Sequence, residues 1–408
     1  VVGLARSGEG VATLLARLGE RVIGADAAGP EKLSEVAGRL SDQGVEVHLD
    51  AADPSLLGSA AVLVKSPGVP QDSPLVRAAR ERGVPVLGEL ELAWRLLANP
   101  FIAVTGTNGK TTTTEWIGHI HRVAGAPVAV AGNVGTALST LVGAVDPAAT
   151  IVAECSSFQL EDTIAFAPEA ALLLNLSPDH LDRHGSFENY RAAKLKIFAN
   201  QRSEDLAVLP EGLELDTPAG QLHFGVLSVQ AVGLPGLHNR ANAGAAAAVC
   251  LARGLDPAVV AEGLRSFTGV AHRLELIAER DGVRYVNDSK ATNVDSTLTA
   301  LASFGGDVHV ILGGQGKGQD FRPLSRLVAE RCAAVYLIGE DAELIGAALA
   351  DTEVPLVWAG DLAGAVAMAV PTASHGATIL LSPACASYDQ FRNFEDRGDA
   401  FRALVEAL

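Results

Sequence analysis

The stretch FIAVTGTNGKTTTTEW, residues 101–116, constrains the fold more than any other part of this chain. An apolar run leads into Gly106 and Gly109, then a lysine, Lys110, and then a polar segment of helical character. Strand, glycine turn and helix start in that order make a phosphate cradle: backbone N–H groups and the helix N-terminus receive the oxygens. The turn, GTNGKT, is shorter than the usual GxxxxGK[ST] loop, yet the mechanics carry over. Gly106, Thr107, Asn108, Gly109 and Thr112 supply the turn, Lys110 meets the terminal phosphates, and the hydroxyl of Thr111 is placed to hold magnesium. The competing reading is a solvated turn with an incidental lysine; the strand before it and TTTTEW after it argue against that.

The same alternation of strand-like and helix-like runs recurs along the 408 residues, a length that divides better into two or three domains than into one core. The expected class is α/β, with a Rossmann-like first domain over 1–92, a central P-loop ATPase-like domain over 93–269 and a Rossmann-like C-terminal domain over 270–408. In such sheets ligands bind at the carboxyl ends of the strands. GLARSG, residues 3–8, opens a helix, with Asp26 closing the next strand, and resembles a dinucleotide fingerprint in which Ala5 replaces the second glycine. A purely structural turn and a contact to a nucleotide diphosphate both fit, and an oxidoreductase using a nicotinamide cofactor is the competing function class.

Composition narrows the partners. The 48 acidic residues outnumber the 31 basic ones, for a formal charge of −17, which opposes general binding to nucleic acid or anionic membrane. The four cysteines, at 155, 250, 332 and 385, form no CxxC pair, so neither a zinc ribbon nor a disulfide framework is expected, and a reducing cytoplasm fits. No run resembles a signal peptide or a membrane span. The chain opens on VVGLARSG without a methionine, inside an expected first strand, so a few preceding residues are expected.

Several strand ends carry residues with chemistry. VAECSSFQLE puts Glu154 at a strand end, followed by Ser156, Ser157 and Gln159, and NLSPDHLDRHG adds His180 after another strand. Glu154 and His180 are candidate metal ligands beside the phosphate loop, although a strand-end glutamate and a lone histidine are each more often solvated or structural. Lys194, in YRAAKLKIF, is either an ordinary helix lysine or, if buried with a lowered pKa, an amine able to take up CO2 as a carbamate and so become an oxygen ligand. The last third offers Asp288, Lys290 and Thr292 in NDSKATN, Lys317 in GGQGKGQDF, and Ser387 and Phe394 in SPACASYDQFRNFEDRG. Only seven basic residues are lysines, and four of them, Lys110, Lys194, Lys290 and Lys317, fall in these segments, which random surface placement does not predict.

GTNGKTT, ECSSFQLE, SPDHLDRHGSFENYRAAKLKIF, HNRANA, HRLE, NDSKATN and SPACASYDQFRNFEDRG together, in this order and over essentially the whole chain, resemble the Mur ligase family of ATP-dependent amino-acid ligases. The resemblance implies a cytoplasmic, monomeric enzyme using ATP and Mg2+. By the same resemblance it would join UDP-N-acetylmuramoyl-L-alanine to D-glutamate, the amino acid suggested mainly by SSFQLE and SPACASYDQFRNFEDRG. It further implies that Arg6, Ser7, Asp26 and Ser66 contact the uridine diphosphate, and that Asn133, Ser156 and Gln159 contact the muramoyl-alanine part. By the same resemblance Lys110, Glu154, His180 and carbamylated Lys194 would form the catalytic and metal centre with Thr111; Asn239, Asn242, Arg273, Asp288 and Lys290 would position ATP, and Thr292, Lys317, Ser387 and Phe394 would receive the amino acid. A sister ligase for another amino acid and a folylpolyglutamate-type ligase share the fold and stay open, and Ala5 is the clearest departure from the pattern.

Overall fold

The computed structural model describes residues 1–51, 53–133, 135–234, 236–316 and 318–408, and the chain resolves into two compact units, Val1–Phe267 and Thr268–Leu408. The first unit holds two sheets. In the first, Ile23–Ala25 (β1) pairs in parallel with Glu46–His48 (β2), and Leu63–Lys65 (β3) with Val86–Gly88 (β4). Val2 bridges in parallel to both Ala25 and Lys65, so the expected first strand is a single bridging residue. Its extended run ends at Gly3, whose φ of +83° turns the chain into the helix Arg6–Arg17. That helix buries Gly8, Val11, Ala12 and Leu14, a helical spacing, and sets Glu9 in its first turn and Arg17 in its last, both favourable to the helix dipole.

The second sheet is parallel throughout. Its strands are Phe101–Thr105 (β5), Val128–Gly132 (β6), Thr150–Glu154 (β7), Ala170–Leu173 (β8), Leu206–Pro210 (β9) and Gly220–Phe224 (β10), in the order β10-β9-β8-β5-β7-β6. The middle strands β5 and β8 are buried along their whole length, as a sheet covered on both faces requires. Trp116, on the helix Lys110–Val123 that follows β5, is fully buried and stacks on Phe267 at 4.7 Å between ring centroids. Burying side chains of this size contributes about 2–3 kcal/mol each. The chain runs from β5 to β6 and β7 on one side of β5 and then to β8 on the other. The direction of winding reverses there, and the loops after β5 and β8 face each other across the resulting crevice.

The second unit repeats the scheme with one antiparallel edge. Glu275–Arg280 (β11) and Val283–Asn287 (β12) form a hairpin, and Val308–Gly313 (β13), Cys332–Ile338 (β14), Leu356–Gly360 (β15) and Thr378–Leu381 (β16) complete the order β11-β12-β16-β13-β14-β15. The hairpin turns on Asp281 and Gly282, both at positive φ (51° and 76°), the conformation that an Asp-Gly pair adopts in a two-residue turn. β12 and β16 are neighbours and parallel, so the loops NDSKATN and SPACAS leave the same sheet edge side by side.

Candidate active site

At the crevice of the first unit, Gly106 (φ 154°) and Gly109 (φ 86°) give the loop expected to cradle phosphate its curvature. A side chain at 109 would also collide with Asn242, since a Cβ there would stand 2.3 Å from its Oδ1; this brings the helix Leu237–Ala252 against the loop. Asn242 is buried and Asn239, one turn earlier, is half-buried. The loop is pinned to the segment after β8. Thr107 N donates to Asn175 O at 3.0 Å, Asn108 N donates to Asn175 Oδ1 at 2.9 Å, and Tyr190 Oη donates to Thr107 Oγ1 at 3.1 Å. Thr111 and Thr112 are buried in the first turn of the helix after the loop.

Two lysines meet on one carbonyl. Lys110 Nζ donates to Gly106 O and Thr107 O, both at 2.9 Å, and Lys194 Nζ donates to the same Gly106 O at 2.8 Å. Lys194 is 1% exposed, with its nitrogen 4.7 Å above the Tyr190 ring. Burial first, and the neighbouring Lys110 charge second, lower its pKa to about 7. Lys194 therefore gives up its proton near neutral pH. An amine that keeps its hydrogen bond to Gly106 and has a free lone pair is a nucleophile.

Glu154, at the end of β7, is 3% exposed and accepts from Asn133 Nδ2 at 3.1 Å. The chain passes very close there: a Cβ on Gly132 would lie 2.2 Å from Glu154 O. Ser156 and Gln159 face each other as a capping box for the short helix Ser157–Leu160, with Ser156 N donating to Gln159 Oε1 at 3.0 Å. His180 sits at φ 50° on the loop after β8, with half its side chain in solvent and its ring 4.9 Å from Phe158. Among the described residues no three His, Cys, Asp or Glu side chains converge as a ready-made cage.

A cavity of about 480 Å³ opens beside this centre and is lined by Arg6, Ser7, Asp26, Ser66, Asn133 and Gln159, among others, so its lining gathers six of the seven residues expected to meet the sugar nucleotide. Ser156 stands next to it in the capping box. Two of the six also hold the glycine turn: Asp26 accepts from Leu4 N at 2.6 Å and Ala28 N at 2.8 Å, and Ser66 Oγ donates to Gly3 O at 2.8 Å. A Cβ on Gly8 would lie 1.7 Å from Gly3 O, so the two outer glycines are needed for packing, whereas Ala5 at the place of the middle one is accommodated as the residue before the helix.

In the second unit, Asp288 is buried after β12 and accepts from Ser382 Oγ at 2.7 Å and Leu274 N at 3.1 Å. Burial raises its pKa to about 7 against those hydrogen bonds. Arg273 is exposed, and Lys290 and Thr292 are half-buried on the same loop. Ser387 is buried and Phe394 begins the helix Phe394–Glu406. Lys317 lies outside the described residues. Sequence reasoning missed Arg397, whose 1%-exposed guanidinium donates to Ser289 Oγ, Ser289 O and Cys385 O at 2.8–3.0 Å and so fastens the two loops together. It also missed His272, which bonds Asn287 across the hairpin at 3.0 Å. Both lie in quoted motifs, HRLE and NFEDRG.

The Asp288 site carries a cost that can be measured. Its folded pKa of about 7 exceeds the ordinary 3.8, so between those values the folded state holds a proton that the unfolded state has lost, and stability falls as pH rises through that window. Asp288→Asn removes the penalty. The variant is expected to melt about 3 °C or more above wild type at pH 8, with the difference gone by pH 4; calorimetry at the two pH values checks it.

Comparison with known proteins adds three matches to family descriptions: "Mur ligase MurD-like, N-terminal domain" over residues 1–88, "Mur ligase middle domain" over 104–227 and "Mur ligase, glutamate ligase domain" over 272–385. The chain is 42% identical to the UDP-N-acetylmuramoylalanine--D-glutamate ligase of Pelotomaculum thermopropionicum, covering 100% of this chain and 97% of that protein. It is 43% identical to the enzyme of the same name from Gloeobacter violaceus, covering 100% and 98%. Among solved structures it resembles the UDP-N-acetylmuramate-alanine ligase MurC of Thermotoga maritima (TM-score 0.60, 20% identity, 100% and 98% covered). It also resembles E. coli FolC in complex with ADP (TM-score 0.58, 17% identity, 83% and 99% covered). At those identities the two structures bear on the fold alone, and they agree with the α/β architecture.

Proposed function

The chain belongs to the Mur ligase family, and from that footing we propose that it joins D-glutamate to UDP-N-acetylmuramoyl-L-alanine in an ATP-dependent step of peptidoglycan precursor synthesis. The observation that carries this reading is its identity of about 40% over the full length to ligases named for that reaction, with Lys110 and Lys194 sharing the Gly106 carbonyl at the phosphate loop.

A carboxylate is a poor electrophile. In this reading the substrate's terminal carboxylate oxygen attacks the γ-phosphorus of ATP, the bond to the β-phosphate oxygen breaks, and ADP leaves an acyl phosphate. The amine of D-glutamate then adds to the acyl carbon, and the tetrahedral intermediate expels inorganic phosphate as the amide forms, with the amine's proton passing to solvent. The protein aligns the substrates and neutralises charge. Gly106 to Thr112 hold the nucleotide phosphates, with Lys110 at the transferred group, and Asn239, Asn242, Arg273, Asp288 and Lys290 position the rest of ATP. Arg6, Ser7, Asp26 and Ser66 hold the uridine diphosphate, and Asn133, Ser156 and Gln159 the muramoyl-alanine end. Thr292, Lys317, Ser387 and Phe394 receive D-glutamate. The first domain, 1–92, thus binds the sugar nucleotide, 93–269 binds ATP and 270–408 binds the amino acid.

The donors at the phosphate loop fit magnesium, which prefers hard oxygen ligands completed by water and substrate phosphates. The Thr111 hydroxyl and the Glu154 carboxylate are such donors, His180 adds a nitrogen, and a carbamate on Lys194 would add further oxygens. Bound magnesium would neutralise the phosphoryl oxygens during transfer. The lowered pKa and free lone pair of Lys194 support carbamate formation: the amine nitrogen bonds to the carbon of CO2 and releases a proton. Among the described residues no helix is long and apolar enough to cross a membrane. The proposed enzyme is monomeric and cytoplasmic and acts on small soluble substrates.

Phosphate release coupled to amide formation tests the reading. With ATP, magnesium and UDP-N-acetylmuramoyl-L-alanine present, D-glutamate is expected to give product, and L-alanine, L-glutamate or meso-diaminopimelate none. Faster turnover with any of these three overturns it.

A further inference from the structure

The cavity and the phosphate loop are connected by side chains that the roles above leave unused. The cavity wall at Ser66–Pro70 presents three successive carbonyls to one guanidinium: Arg183 donates to Pro67 O and Val69 O at 3.1 Å each, and to Gly68 O at 3.5 Å. From below, Val69 O also accepts from Lys65 Nζ at 2.9 Å, and that ammonium pairs at 2.9 Å with Asp162, both side chains being almost wholly buried. The same Arg183 lies 4.5 Å over the Phe158 ring and 3.6 Å from Glu161. Glu161 is 2.9 Å from His184 Nδ1, the His184 ring meets Tyr190 edge-on at 5.3 Å, and the Tyr190 hydroxyl bonds Thr107 in the phosphate loop. The wall of the cavity is thereby tied to the phosphate loop through a continuous run of packed and hydrogen-bonded groups that begins three residues after His180.

This anchor suits arginine in particular. A planar fork with five N–H groups can serve three carbonyls and still stack on an aromatic face, which the single ammonium of lysine cannot do. The buried Lys65–Asp162 pair already fastens the base of the loop, so Arg183 is left to set where the wall stands relative to the transferred phosphoryl group. A misplacement of about 1 Å there can cost on the order of 10²-fold in rate.

We propose that Arg183 is a positioning residue that holds the 66–70 wall in register with the phosphate loop, so that the acceptor carboxylate of the sugar nucleotide meets the γ-phosphate. This rests on the ligase reading. In Arg183→Ala the KM for the sugar nucleotide is expected to rise about tenfold and kcat to fall by about 10²-fold, while the KM for ATP stays within about twofold and the thermal midpoint changes little. Arg183→Lys keeps a charge beside Glu161 and is expected to hold the wild-type midpoint too, yet to leave kcat as low as in Arg183→Ala. Calorimetric titration of each variant with UDP-N-acetylmuramoyl-L-alanine gives a readout independent of turnover, with binding weakened in step with KM. Wild-type kcat, KM and affinity in Arg183→Ala, or full recovery of kcat in Arg183→Lys, overturn the positioning role. A wild-type enzyme that binds the sugar nucleotide yet makes no amide overturns the ligase reading alone.

Discussion

Lys110→Ala is expected to abolish ATP-dependent phosphate release, by on the order of 10³-fold or more, while the sugar nucleotide binds as before. The lysine supplies the one long cation of the GTNGKT turn, and its nitrogen lies over the loop at 2.9 Å from two of its carbonyls. Charge develops on the phosphoryl oxygens as the bond to ADP breaks, so a cation fixed there acts mainly on the transition state. The cavity expected to take the sugar nucleotide is lined by other residues, which is why its affinity should hold. Phosphate-release kinetics and sugar-nucleotide titration on the same variant check both halves. Full-rate release would remove Lys110 from the centre, and lost sugar-nucleotide binding would show that the change had damaged the fold instead.

The strand, glycine turn and helix start around residues 101–116 were legible because every local signal agreed: an apolar run, two glycines where positive φ is needed, and a polar helix start. The second unit was less so. The Rossmann-like expectation for 270–408 did not specify the hairpin of β11 and β12, although Asp281 and Gly282 carry a two-residue turn signal. Asp26 was legible as a strand-end acid, but the sequence does not reveal that its carboxylate also supports the backbone N–H groups of Leu4 and Ala28. Lys65 is a further lysine away from the surface, fully buried against Asp162, ninety-seven residues away. Arg397, His272 and Arg183 were hidden for the same reason. Each acts on backbone carbonyls or on groups that become neighbours only when distant loops leave adjacent strands, and neither period nor spacing encodes such pairings.

Lys194→Ala is expected to lose most amide formation, on the order of 10²–10³-fold. Bicarbonate should not restore it, whereas short-chain carboxylic acids should do so in part by standing in for the carbamate. Wild-type turnover in that variant would remove Lys194 from the mechanism. The chemistry requires an amine that is neutral when CO2 arrives, and a pKa of about 7 supplies one, so in limiting CO2 wild-type activity should climb as pH rises through 7. The same burial has a thermodynamic consequence. The folded pKa lies below the ordinary 10.5, so between about pH 7 and 10.5 the unfolded state holds the extra proton and stability rises with pH. The cost of the buried amine is therefore fully present below pH 7. Lys194→Met keeps the aliphatic stem and removes the amine, and in CO2-free buffer it should melt above wild type at pH 6, with the gap closing toward pH 10. A variant that is both more stable and inactive would show that the fold tolerates a buried amine at Gly106 for the reactivity it provides; equal midpoints across that range would place the Lys194 amine in contact with water, and carbamate formation there would lose its basis.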